Sequence, residues 1–159
     1  MKLTFLYLSI VIASGAMLTN IYTSIVDVAS WGSDIPHSIE VARQYFKASN
    51  PGNYFRVFSP MNQLLGLISL VLFWKSGKNI RALLIAALVC YLVAEGMTFL
   101  FFYPRNDIMF FNEGRPDAEQ LKMVWQQWSS MNWVRTLVVA AGLACSSLAL
   151  HRIYLAGKR

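Results

Sequence analysis

The sequence predicts an all-α fold: an integral membrane four-helix bundle with an additional short amphipathic helix in the first outer loop. Three observations predict it. First, four apolar stretches, approximately 3–26, 58–74, 81–103 and 132–154, are each long or nearly long enough to cross a bilayer. A helix rises ~1.5 Å per residue and the hydrocarbon core is ~30 Å thick, so a span needs roughly 20 mostly apolar residues. Second, the 159 residues are 56% hydrophobic and only 14% charged, a balance of a polytopic membrane protein rather than a soluble domain. Third, basic residues next to the spans segregate to one side.

The elements follow in order. Lys2 opens the first span, and apolar character continues through Ile21 and Ile25. The same segment, with Ala13-Ser14-Gly15-Ala16, also resembles a secretory signal peptide and its cleavage site; the continued apolar run favours a retained span. In the first outer loop, 27–57, Ser33-Asp34-Ile35-Pro36 supplies a helix start, and Ile35, Ile39, Ala42, Tyr45 and Phe46 recur at helical spacing. Asn50-Pro51-Gly52-Asn53 stops that helix. Ser59-Pro60 reads as the start of the second span, the shortest, which Tyr54 to Phe58 extend into the interface. The third span ends at Pro104, and the second outer loop covers 104–131. Within it, Pro116-Asp117 starts a helix whose Leu121, Trp125, Trp128, Asn132 and Arg135 share one face and which runs unbroken into the fourth span. Trp125, Trp128 and Trp133 mark the outer interface, where indole rings concentrate. With no internal repeat or linker, one membrane domain over 1–159 is expected.

Lys2, Lys75, Lys78, Arg81, Arg152, Lys158 and Arg159 fall on one side with no acid among them. The long loops mix Arg43, Lys47, Arg56, Arg105, Arg115 and Lys122 with seven acids from Asp27 to Glu119. Both termini are therefore expected in the cytoplasm, in a cell (inner) membrane, with the long loops outside. The net charge of +6 is mostly this topology signal. No basic stripe with interleaved aromatics points to nucleic acid.

That orientation places the strongly polar residues in one layer. Glu95 lies fourteen residues beyond Arg81, so ~21 Å from the cytoplasmic end by helical rise. Asn20 reaches a similar level, with Asp27 at the rim; Asn62 and Gln63, Asn132 and Arg135 enter from outside, and Asn106 follows Pro104. The cytoplasmic half is nearly pure Leu, Ile, Val and Ala, with small Gly66, Ser69, Gly142 and Ser146 where helices can approach.

Glu95 and Arg135 are the expected catalytic residues. An acid at a helix centre costs ~2.5 to 3.5 kcal/mol on insertion scales, so Glu95 should face inward and have a partner, and Arg135 is the obvious one. The expected substrate-binding residues are Asn20, Asn62, Gln63, Tyr91, Thr98, Asn106, Trp128 and Asn132, with Tyr91, Glu95, Thr98 and Phe102 forming a stripe on the third span. The plainer readings are a structural ion pair, asparagines as inter-helix glue, tryptophans as interfacial anchors and Asp27 as a solvated helix end.

Other chemistries recede. His37 and His151 lie at opposite ends of the bundle and cannot share one metal or haem; a metal on His37, Asp27 and Glu95 is a minor alternative, and no metal or cofactor is expected. Cys90 and Cys145 form no C-x-x-C motif and default to packing. No phosphate-cradling loop or dinucleotide fingerprint occurs. Carboxylate, guanidinium, amide and phenol groups remain, suited to a small apolar or aromatic ligand.

Pro104-Arg105-Asn106-Asp107 after the third span, then Trp125 or Trp128, then Asn132-Trp133-Val134-Arg135 opening the fourth, resemble the anthrone-oxygenase-like membrane proteins, a mostly uncharacterised four-span family with a Pro-x-Asn motif and a Trp…Arg segment in these places. The resemblance covers the second half of the chain, and the first half only by span count. It implies a four-helix membrane bundle and cofactor-independent oxygenation of polycyclic anthrones to quinones, with Asn106 and Arg135 as the residues that carry over. Glu95 and the long first loop are not obviously part of the pattern.

In that reading Glu95, or a group it controls, deprotonates a phenolic substrate, and Arg135 with the amides of Asn62, Asn106 and Asn132 stabilises the oxyanion. Two other readings use the same residues. An accessory subunit would dock a partner, or a further copy of itself, through its outer loops; a small transporter would couple substrate to a proton on Glu95. Membrane lipid is a neighbour in all three.

Overall fold

A computed structural model describes residues 2–111, 114 and 116–157. It is helical, with no strand among the described residues. Helices α1 (Lys2–Trp31), α3 (Pro51–Leu72), α4 (Lys78–Phe111) and α5 (Ala118–Ala156) are each long and apolar enough to cross a membrane, and α2 (His37–Phe46) is the short helix between the first two. The chain is thus an integral membrane protein. Helix α1 packs on α3 and α5, and α4 packs on the same two, which closes a four-helix ring. Charges at Glu113, Arg115, Lys158 and Arg159, used above for orientation, lie outside the described residues.

Two apolar clusters mark the ends of the bundle. Leu6, Leu70, Phe73, Ile80, Leu84 and Ala149 fill the end that carries the termini and the 73–77 turn. Val28, Trp31, Ile39, Phe102, Met109 and Trp128 belong to the cluster at the other end. Between them α4 and α5 approach closely at Gly142, where a Cβ would come within 2.7 Å of the Tyr91 ring. Tyr91 and Ser146 share a hydrogen bond of 3.0 Å across the same contact.

Three helix boundaries differ from the sequence expectation, each for a local reason. Helix α3 begins at Pro51, not near Pro60. Asn50 is extended and accepts the Gly52 N–H at 2.9 Å, and Pro51 has its ring fixed for the first helical position, so one tetrapeptide serves as both stop and start. Pro60 then sits inside the helix and leaves one carbonyl without its usual donor. Helix α4 continues past Pro104 to Phe111 through two π turns, Thr98–Phe102 and Asp107–Phe111. Arg105 donates back to the Phe101 carbonyl within this stretch at 3.1 Å. Helix α1 likewise carries a π turn at Thr23–Asp27 and runs on to Trp31.

Helix α2 starts at His37 with no side-chain cap from the preceding residue. Ser38 serves the junction instead, accepting the Asp34 N–H at 3.3 Å and donating to the Trp31 carbonyl at 2.5 Å. Ile39 and Ala42 are buried, whereas Tyr45 turns outward. Arg43 ties the helix down by donating to the Met109 and Ile108 carbonyls at 2.7 and 3.2 Å, acceptors in the second π turn of α4. Helix α5 is unbroken over 39 residues, as the sequence expects. Trp125 on it reaches α1 and donates to the Val28 carbonyl at 2.9 Å. Gly32 leaves room for that indole, which a Cβ would overlap.

Candidate functional site

The three π turns lie at the end of the bundle opposite the termini, and all three wall a cavity, the last through Phe110 and Phe111. A π turn inserts one residue and widens the helix, a feature often found at functional sites. Thr23 from the α1 turn and Thr98 and Phe102 from the first α4 turn line a cavity of about 70 Å³ together with Trp31, Phe55 and Trp128. Its rings interlock edge to face. Trp31 stands 4.9 Å from Phe110 and 5.3 Å from Trp128, and Phe102 stands 5.2 Å from Trp128.

Arg135 projects from α5 into this box. It is 6% exposed, and its guanidinium carbon lies 3.9 Å from the Phe102 ring centre, 5.4 Å from Phe55 and 5.9 Å from Trp128. Nη2 donates to Asn132 Oδ1 at 2.6 Å. Nε is buried with no hydrogen-bond partner among the described residues. Among the described residues Glu95 and Arg135 make no ion pair within 4 Å, but the two charges interact across a shared cavity wall. The carboxyl is half-buried on α4 beside Ser59 of α3, and shares with Arg135 the wall of a second, smaller cavity of about 40 Å³.

The cation is therefore held by aromatic faces and one amide. Such contacts contribute about 0.5 to 2 kcal/mol for a cation over rings and about 1.5 to 3 kcal/mol for a hydrogen bond to a charged group. Taking an arginine into a membrane interior costs about 2.5 to 3.5 kcal/mol on insertion scales. The opposing terms roughly cancel, so Arg135 adds little net stability and presents its positive charge to both cavities, with the Glu95 carboxyl in the wall of the smaller one.

The other expected residues occupy the same region in different states. Asn20, Asn62, Gln63, Tyr91 and Thr98 line the smaller cavity, and Thr98, Asn106 and Trp128 the larger. Several of their polar atoms are committed to the protein. Asn62 Oδ1 accepts from Ser9 at 2.9 Å, the Tyr91 hydroxyl pairs with Ser146, Thr98 donates to the Ala94 carbonyl, and Asn106 Oδ1 accepts the Trp128 indole N–H at 2.8 Å. Asn132 lines neither cavity. Fully buried behind Arg135, it donates to the Asn20 carbonyl and the Ser24 hydroxyl at 3.0 and 2.7 Å while holding the guanidinium. Asn20 Oδ1, by contrast, is buried with no hydrogen-bond partner among the described residues.

Sequence reasoning missed Thr23, Ser24, Trp31, Phe55 and Ser59. Thr23-Ser24 one turn beyond Asn20 was an available signal, because hydroxyls inside a span seek partners on neighbouring helices. Trp31 and Phe55 sit in segments read as loop and interface, where an aromatic has no distinctive meaning. His37 and Asp27 line an outer groove apart from Glu95, and among the described residues no three His, Cys, Asp or Glu side chains converge as a metal set would.

No curated protein and no solved structure matches the chain. A family model described as anthrone oxygenase matches residues 53–145. That range holds most of α3, all of α4 and the part of α5 that carries Trp128, Asn132 and Arg135, and it exceeds half of the sequence; the chain therefore belongs to the anthrone oxygenase family.

Proposed function

We propose that the paired cavities bind a small aromatic molecule bearing an acidic hydroxyl or carbonyl, and that the protein oxygenates it, as the family name implies, by a route that uses its own side chains. The supporting observation is Arg135: a buried cation with an unpartnered Nε, set among the faces of Phe102, Phe55 and Trp128. Rings stack a planar ligand, and the guanidinium favours its oxyanion over its neutral form.

Glu95 accepts the proton. The resulting enolate carbon is electron-rich and reacts with dioxygen; the net change converts a ring CH₂ and O₂ to a carbonyl and water. Amides that point into the cavities orient the ligand, and Asn132 acts by holding Arg135. Orientation by the basic residues puts the site in the outer half of the membrane, with both termini cytoplasmic. A cavity of about 70 Å³ is smaller than the ~150 Å³ void that takes up benzene in a protein core. A ligand of several rings thus enters by displacing wall side chains.

The apolar cluster around Leu6, Leu70 and Leu84 separates Glu95 from the terminal end, which weighs against a transport path through the bundle. The test is oxygen consumption by the protein in lipid nanodiscs supplied with anthrone. Uptake that disappears in Glu95→Gln supports the reading; uptake unchanged in that variant removes the carboxylate from the mechanism, and no uptake by wild type removes the oxygenase assignment.

A further inference from the structure

The two cavities meet at Phe55, Thr98 and Arg135 but differ in character. Rings wall the larger one. Asn20, Ser59, Gln63, Glu95 and Arg135 bring polar groups to the smaller one. Two deeply buried atoms belonging to residues of its wall have no hydrogen-bond partner among the described residues and are of opposite sense: Asn20 Oδ1 can only accept and Arg135 Nε can only donate. Their residues are 2% and 6% exposed.

A buried donor or acceptor left unpaired costs about 1–3 kcal/mol, and the two residues that carry them line one small cavity with Ser59, Gln63 and Glu95, a set matched by a molecule that both donates and accepts. Size decides which molecule. The smaller cavity, about 40 Å³, is too narrow for an aromatic ring but ample for water, which needs ~10–15 Å³ by this measure and two to four polar partners. Asn20, Arg135, Glu95, Ser59 and Gln63 supply those partners. Glu95 and Arg135 share the wall without an ion pair, so a bridging molecule has a place between the carboxylate and the guanidinium.

We propose that the smaller cavity is an ordered-water site, and that its water carries the proton from a hydroxyl bound in the aromatic cavity to Glu95. The second half of this inference rests on the ligand reading above; the first half does not. In the step, the ligand O–H bond breaks as its proton passes to water, and water passes one of its own protons to the carboxylate. A new O–H bond forms on Glu95, the water is regenerated, and the negative charge moves from Glu95 to the ligand oxygen beside the guanidinium. No electrons change hands. Glu95 thereby acts as a base at one remove, and Arg135 is the group that faces both water and ligand.

Radiolytic labelling of the full chain in nanodiscs, with ¹⁸O water added just before the pulse, tests the site directly. Hydroxyl radicals formed from cavity water oxidise the rings beside it. Tyr91 and Phe58 line only the smaller cavity, and Phe73, equally buried in the apolar cluster at the other end, is the control. The expected result is labelling of Tyr91 several-fold faster than Phe73, abolished in Ala94→Leu or Ala16→Leu, which fill the cavity from α4 or α1 without removing a polar group. Equal protection of Tyr91 and Phe73 in wild type overturns the water site, whatever the variants do.

The relay is read with 2-naphthol, whose neutral and anionic ground states absorb differently. Wild type should bind it as the anion, and a cavity-filling variant should bind it in the neutral form. Anion formation that persists in a variant shown to lack Tyr91 labelling overturns the relay while leaving the ligand site intact. Absence of naphthol binding in wild type overturns the ligand reading and the relay with it, and the labelling result still decides the water site.

Discussion

Trp128 donates its indole N–H to the side-chain oxygen of Asn106 at 2.8 Å. The bond joins α4 just past its Pro104 to α5, two segments 22 residues apart, and it sets the Trp128 ring against Phe102 and Trp31. Arg135, seven positions further along α5, projects into the same box. The Pro-x-Asn and Trp…Arg patterns are thus two sides of one structure.

Removing the acceptor should therefore affect both stability and binding. In Asn106→Leu the indole N–H is left buried without a partner, at about 1–3 kcal/mol. Thermal unfolding in detergent should fall accordingly, and a ligand retained by wild type should be lost. Asn106→Asp keeps an acceptor and should retain most of both.

Arg135 should behave in the opposite way. If it stabilised the bundle through a buried ion pair, its removal would cost about 3–5 kcal/mol. Its contacts and its desolvation roughly cancel, so Arg135→Gln, whose amide keeps a donor for Asn132 Oδ1, should change stability by less than about 1 kcal/mol by the same accounting, while abolishing ligand retention. Thermal melts paired with a binding assay separate the two.

Helix contact, independent of the site, is tested at glycine. A Cβ on Gly142 would stand 2.7 Å from the Tyr91 ring and 3.0 Å from Cys90 Cβ, so Gly142→Ala forces α4 and α5 apart and should destabilise by about 1–3 kcal/mol. Gly96 has nothing within 4 Å, and Gly96→Ala should leave the melting temperature unchanged or raise it, since alanine is the better helix former.

Helix α2 is fastened by buried Ile39 and Ala42 and by the hydrogen bonds of Arg43. Arg43→Ala removes its donors to the Met109 and Ile108 carbonyls and should speed amide hydrogen exchange in 37–46 and at the 107–111 turn. The terminal half of the bundle should exchange as before. Uniformly faster exchange would instead mean that α2 supports the whole fold.

Much of this architecture is legible in residues alone. Span length and hydropathy give the four membrane helices, Pro116-Asp117 and the face from Leu121 to Arg135 give a long α5, and the spacing of Ile39 and Ala42 gives α2. The common level of Asn20, Glu95 and Arg135 along the bundle, where they line one cavity, follows from helical rise. What depth does not give is rotation. Whether Glu95 meets Arg135 depends on how α4 and α5 turn about their axes, and a π turn shifts everything after it by roughly 100°. Periodicity anticipates none of the three π turns, and Pro104 reads as an end because the extra residue that accommodates it leaves no compositional mark. Asn132 shows the same limit: its position marks it as a site residue, but only its partners Asn20, Ser24 and Arg135 show it to be committed within the protein.

The most direct measurement is native mass spectrometry of the protein gently extracted in detergent, for wild type, Glu95→Gln and Arg135→Ala, with and without an added hydroxy-aromatic compound. A small aromatic adduct on wild type that is lost in Arg135→Ala, with folding retained, is the predicted result. An adduct of unchanged occupancy in Arg135→Ala, or none on wild type at saturating ligand, would contradict the account.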